Sequence, residues 1–129
     1  MIVDASAFLA ILLDEPEASQ MEDKILMTAD PVMSPVNYLE AAVRVDGLGS
    51  EYKSRKFDEL FAQLAIAIAP TNIEQAKFAR EAYQKFGKGN HPARLNLGDC
   101  FAYALSKARS EPLLFKGDDF GKTDVEAAL

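Results

Sequence analysis

One histidine, one cysteine and no tryptophan occur in 129 residues, and each scarcity removes a mechanism. A lone Cys100 cannot form an internal disulfide, and zinc sites built from four thiolates, or from paired thiolates and imidazoles, lack their ligands. An acid–base nuclease that uses two histidines is impossible with only His91. The phosphate-loop pattern GxxxxGK[ST] is absent, which excludes that class of NTPase. Positive charge is also short: 14 Lys and Arg face 20 Asp and Glu, for a net charge of -6. Taken at face value, that balance argues against a nucleic-acid partner. Long hydrophobic runs are missing as well. The stretch Ala5 to Leu13 is apolar apart from Ser6, but Asp4 precedes it and Asp14, Glu15 and Pro16 end it. It has neither the basic flank of an export signal nor the length of a bilayer span. No membrane association is expected, and the unpaired Cys100 suits a cytoplasmic protein.

What the chain does have is carboxylate, so any catalysis here should run on Asp and Glu. At 49% hydrophobic and 26% charged residues, the composition is that of an ordinary globular protein. The length suits one domain over residues 1–129.

Met1-Ile2-Val3 reads as a short buried strand ending at Asp4. A helix is expected from about Ser6, as N-cap, to about Leu13. Glu17 to Met27 reads as a second helix and Asp30 to Met33 as a brief strand. Ser34-Pro35 then supplies a cap and a first-turn proline for a helix to about Val45. Glu51 to about Ala65 is amphipathic, with Phe57, Leu60, Phe61 and Leu64 at helical spacing. Ile66 to Ala69 reads as a strand. Asn72 opens a helix carrying Ile73, Ala76, Ala79, Tyr83 and Phe86 on one side. A loop from Gly87 to Leu95 precedes a helix to about Arg109, and Leu113-Leu114-Phe115 makes the last strand. Short apolar strands alternating with helices imply a three-layer α/β/α sandwich around a parallel sheet of about four strands.

In such sheets the functional crevice lies beyond the carboxyl ends of the strands. Asp4 follows the first strand directly, and Asp118 and Asp119 follow the last. Asp99 falls in the first turn of a helix, and Glu40 lies one to two turns into the helix after the second strand. Each also suits a plain structural role: Asp4, Asp118 or Asp119 as helix caps, Asp99 as a partner for the helix dipole, Glu40 as a surface charge. Gathered together, they would repel unless neutralised, and a hard divalent cation such as Mg2+ or Mn2+ takes oxygen ligands of this kind. Such an ion can activate water against a phosphodiester. Ser6 is placed to contact a phosphate or a metal-bound water, or else to cap the helix. His91 lies in a basic loop with Lys88 and Arg94, and Tyr103 shares a helix face with Asp99.

The opening Met1-Ile2-Val3-Asp4-Ala5-Ser6-Ala7 resembles the start of PIN-domain proteins. Gly87-Lys88-Gly89 through His91-Pro92-Ala93 to Leu95-Asn96-Leu97-Gly98-Asp99-Cys100-Phe101-Ala102-Tyr103-Ala104, followed by Leu113-Leu114-Phe115-Lys116-Gly117-Asp118-Asp119-Phe120, resembles one branch of the VapC toxins. With Glu40 between them, the blocks fall in the family's order and span nearly the whole chain. The resemblance implies a Mg2+- or Mn2+-dependent endoribonuclease acting as the toxin of a type II toxin–antitoxin pair. It also implies a VapB-like antitoxin and a homodimer formed through the helical region. Asp4, Glu40 and Asp99 match the family's three acidic positions. The fourth departs from the pattern: many PIN proteins carry Thr-x-Asp after the last strand, whereas Phe115-Lys116-Gly117 stands here. Asp118 or Asp119 must substitute, with Asp119 preferred for catalysis and Asp118 kept as a metal-ligand candidate.

Charge is unevenly distributed. From Gln75 to Arg109 the basic residues are Lys77, Arg80, Lys85, Lys88, Arg94, Lys107 and Arg109, against Glu81 and Asp99 alone. This basic stretch brackets Asp99 in sequence and suits the holding of RNA phosphates. Ser6, Lys88, His91 and Arg94 are the expected substrate contacts. The alternative is a non-catalytic PIN-like module that binds RNA or protein.

Overall fold

The computed structural model describes all residues, Met1–Leu129. The elements run β1 (Ile2–Val3), α1 (Ala5–Leu12), α2 (Ala18–Leu26), β2 (Val32–Met33), α3 (Pro35–Asp46), α4 (Glu51–Gln63), β3 (Ala67–Ile68), α5 (Ile73–Phe86), α6 (Leu97–Arg109) and β4 (Leu113–Leu114), with a 3-10 turn over Phe120–Lys122. The strands form one sheet in the order β3-β2-β1-β4, and each pairing is parallel. The expected architecture is the observed one.

Strand alternation creates the two cores. Successive side chains on a strand point to opposite faces. Ile2, Val32 and Leu113 accordingly pack against α5 and α6 residues such as Ala79, Ala82, Ala102 and Leu105. Val3, Met33 and Leu114 face the other way, onto Phe8, Ile25, Ala41, Val45 and Phe57 from α1 to α4. Phe8 meets Phe57 and Phe61 edge to face, with centroids 4.9 and 5.5 Å apart. β1, β2 and β4 are thus buried on both sides, as in parallel sheets generally, while the edge strand β3 is exposed.

Two local expectations are corrected. The N-cap of α1 is Asp4, not Ser6: the Asp4 carboxylate accepts from the Ser6 N–H, so the helix begins at Ala5. On α5 the buried residues are Gln75, Ala79 and Ala82, while Ile73 and Tyr83 are exposed. The apolar side of α5 is thus covered only in part: Ala79 is buried and Phe86 packs on the core, while Ile73, Ala76 and Tyr83 are exposed. Tyr103, one turn beyond Asp99 on α6, is buried and its hydroxyl donates to Asp124 Oδ1 at 2.7 Å.

Candidate metal centre

β1 is central in the sheet, so the residue that leaves its carboxyl end is surrounded by the connections after β2 and β4. That residue is Asp4, only 3% exposed. Its Oδ2 accepts from both the Ser6 backbone N–H (3.0 Å) and the Ser6 Oγ (2.6 Å). Ser6 Oγ in turn accepts from the Lys116 N–H at 3.0 Å, tying the segment after β4 to Asp4. From α3 comes Asn37, fully buried, whose Nδ2 donates to the Gly98 carbonyl at 3.0 Å and reaches Asp4 Oδ1 at 3.5 Å. Its own Oδ1 has no partner. α3 is thereby pinned to the start of α6.

Asp99 is the third residue of α6 and belongs to a capping box. Its N–H donates to Asn96 Oδ1 at 2.8 Å, while its Oδ2 accepts from the Asn96 N–H at 3.0 Å. This satisfies two helix-end amides that would otherwise lack partners. Glu40 lies one turn beyond Asn37 on α3, and its carboxylate rests against the Cα of Gly98. A Cβ at position 98 would occupy the space that the carboxylate fills.

The electrostatics join these groups. Burial raises Asp4 to about 6, partly opposed by the Ser6 hydrogen bonds and reinforced by Glu40. Burial also raises Asp99 to about 6, against its Asn96 bond, with Asp4 and Asp119 adding to the rise. Glu40 is exposed at its outer surface, yet is pushed up by desolvation first and by Asp99 next, with Asn37 and then Arg44 acting in the opposite sense. Glu40 thus acts on Asp4, Asp99 on Glu40, and Asp4 with Asp119 on Asp99. Asp118 is not among the groups that act on Asp99. The chain between Lys116 and Asp118 turns at Gly117, whose φ of +103° is one that a side chain would strain.

The predicted contacts in the basic loop lie elsewhere. His91 Nδ1 accepts from the Ala93 N–H at 3.0 Å, and its ring meets Phe86 edge-on, so the histidine is engaged inside its own loop. Lys88 and Arg94 are exposed, and neither acts on Asp4, Glu40 or Asp99. The cation that does act there is Arg44, which sequence reasoning passed over. Its signal was the i, i+4 spacing from Glu40, which puts both on one helix face.

The donor set fits a hard cation. It consists of carboxylate oxygens, Asp4 and Asp99 both raised by burial and neighbouring carboxylates, and the glycine at 98 leaves room for the Glu40 carboxylate. No three of the chain's His, Cys, Asp or Glu side chains stand close enough to grip one ion in this conformation. Glu40 is the most exposed of these carboxylates, on the outer side of α3.

A doubly covered parallel sheet with strand-end carboxylates defines an acidic-site α/β/α domain. Residues 1–126 match the PIN domain family model. The chain is 44% identical to Ribonuclease VapC of Mycolicibacterium smegmatis, covering 98% of each sequence. It is 45% identical to Ribonuclease VapC28 of Mycobacterium tuberculosis, over 100% of this chain and 98% of that one. The fold is similar to the crystal structure of Mycobacterium tuberculosis VapC20, a Sarcin-Ricin loop cleaving toxin, with a TM-score of 0.73 at 11% identity, over 96% and 95% of the two chains. The chain belongs to the PIN-domain family and, within it, to the VapC ribonucleases.

Proposed function

We propose that residues 1–129 act as one PIN domain, a divalent-metal-dependent endoribonuclease that serves as the toxin of a type II toxin–antitoxin pair in the cytoplasm. The observation that carries this reading is the buried Asp4 at the carboxyl end of β1, held by Ser6 and reached by Asn37, which also binds the Gly98 carbonyl where the Glu40 carboxylate packs next to Asp99. Asp4, Glu40 and Asp99 are the proposed ligands of Mg2+, with Mn2+ able to substitute. Asp119 is the preferred fourth carboxylate over Asp118, because it acts on Asp99. Once bound, the ion supplies Lewis acidity toward a phosphodiester and lowers the pKa of water. The protein's part is orientation. Ser6 holds Asp4 by one oxygen, and Asn96 holds Asp99 by one oxygen, leaving the second oxygen of Asp99 unengaged.

Two surfaces support the partners expected of such a toxin. An apolar groove of about 360 Å³, lined by Ile11, Leu12, Leu13, Tyr52 and Leu60 with Lys53 and Lys56 at its edge, suits an amphipathic segment of a VapB-like antitoxin. Exposed Leu39 and Val43 on α3 suit a homodimer formed through the helices. No helix is long and apolar enough to cross a membrane.

Asp4→Asn and Asp99→Asn should each abolish Mg2+-dependent RNA cleavage while leaving the fold intact. Full activity in either variant would overturn the assignment. The second reading is a non-catalytic PIN-like module that binds RNA or protein. Calorimetry with Mn2+ separates the two. Uptake that disappears in Asp4→Asn supports the enzyme, and no uptake by the unmodified protein supports the module.

A further inference from the structure

We propose that the cleft between α1, α3 and the segment after β4 seats a backbone phosphate of the RNA strand, held by Arg44 and, once released from an acidic clasp, by Lys116. The proposal rests on the nuclease reading and adds to it the place where the strand is gripped.

The cleft encloses about 280 Å³ and is lined by Ser6, Leu9, Glu15, Arg44, Lys116 and Gly117 among others. Ser6 is shared between this cleft and the carboxylate cluster, since the same hydroxyl donates to Asp4 Oδ2 at 2.6 Å. A strand lying in the cleft therefore passes beside Asp4. Such a strand carries a negative charge at each phosphate toward a group of carboxylates, and it needs a cation on the near bank. Arg44 is exposed and takes part in none of the chain's ion pairs. A free guanidinium presents a planar fork of donors that matches phosphate oxygens. Arg44 is also the cation that acts on Glu40, so it serves the cluster and the cleft together.

Lys116 stands on the opposite wall but is spoken for. Its Nζ is paired with Glu15 and lies 3.3 Å from Glu17 Oε2, an ion pair without hydrogen-bond alignment. Two carboxylates cancel its charge, so Arg44 supplies the resting affinity and an incoming phosphate must compete for Lys116. Weakening the clasp should strengthen binding.

The test measures binding of a short fluorescein-labelled single-stranded RNA by anisotropy, in chelator so that nothing turns over, across about 50 to 200 mM salt. Arg44→Gln should weaken binding about tenfold, the size of one lost charged contact, and reduce the salt slope by about 0.7, the single-strand value for one phosphate contact. Arg44→Lys should recover part of the affinity. Glu15→Gln with Glu17→Gln should tighten binding by about two- to fivefold, in line with the release of exposed ion pairs. Unfolding curves matching the unmodified protein show that the variants are folded. Unchanged binding and slope in Arg44→Gln, or no RNA binding by the unmodified protein, would overturn the seat. Unchanged affinity in the double Gln variant would overturn the clasp. If Arg44→Gln weakens RNA binding as expected but the unmodified protein cleaves nothing with Mg2+ or Mn2+, the nuclease reading fails and the seat stands.

Discussion

The carboxylate of Glu40 occupies the space where a side chain at Gly98 would begin. Gly98 is buried within the first turn of α6, and its φ is not positive, so the close approach of Glu40, and no backbone demand, is what requires glycine there. Gly98→Ala should therefore leave stability unchanged or raise it by up to about 1 kcal/mol, since alanine is the better helix former. At the same time Glu40 is pushed off its perch beside Asp99. RNA cleavage should fall by about tenfold or more, the effect of about 1.4 kcal/mol on a barrier. Denaturant unfolding and cleavage rates measured on the same preparation check this split. Cleavage at the unmodified rate would remove Gly98 from the argument.

Asp4 gives a prediction in pH. Its folded value of about 6 lies above the ordinary 3.8, so between those values the folded chain binds more protons than the unfolded one. Stability from this group is then present at low pH and is lost as pH rises through about 4 to 6. Without added metal, Asp4→Asn keeps an oxygen for Ser6 and removes the buried charge, and should stabilise the protein at pH 7 by about 1–3 kcal/mol. The gain should vanish near pH 4. Thermal melts at the two pH values decide it, and equal gains at both would contradict burial as the cause.

Cleavage should move the other way. Asp4 and Asp99 must be ionised to ligate a cation, and both are raised to about 6. The cleavage rate at limiting metal should climb between about pH 5 and 7 and then level off. Higher Mg2+ should shift the rise to lower pH, because metal and proton compete for the same oxygens. A flat profile across this range would exclude these carboxylates as ligands.

Ser6 links two strand ends through a single hydroxyl. Ser6→Ala deprives Asp4 of its shortest hydrogen bond and leaves the Lys116 N–H without a partner. The expected cost is about 1–3 kcal/mol, together with weaker Mn2+ binding as Asp4 loosens. Ser6→Thr retains the hydroxyl and should recover most of both. Failure of threonine to recover metal binding would show that the hydroxyl is not the relevant group.

Asn37 makes a similar prediction on the α3 side. Asn37→Ala frees the Gly98 carbonyl inside the protein and should cost about 1–3 kcal/mol in urea unfolding. Mn2+ affinity should fall in parallel, because the α3–α6 junction that spaces Glu40 from Asp99 is no longer clasped. A stability loss with unchanged Mn2+ affinity would confine Asn37 to the fold.

The sequence by itself determined the architecture and the acidic character of its edge. Paired apolar residues at Ile2-Val3, Val32-Met33 and Leu113-Leu114 demand burial on both faces, and that pattern is legible because strand periodicity is local. Asp4 and Glu40 could be named for the same reason, since each follows a recognisable strand or cap. Tertiary structure decided what these residues touch. It set Glu40 against Gly98, gave Ser6 to Asp4 and Lys116, and brought Asp119 rather than Asp118 to act on Asp99. It turned Tyr103 to Asp124 and left Ile73 in solvent. It also brought Arg44, not the basic loop, to the acidic cluster. None of these contacts follows from spacing along one element, because each depends on how separate helices pack across the sheet.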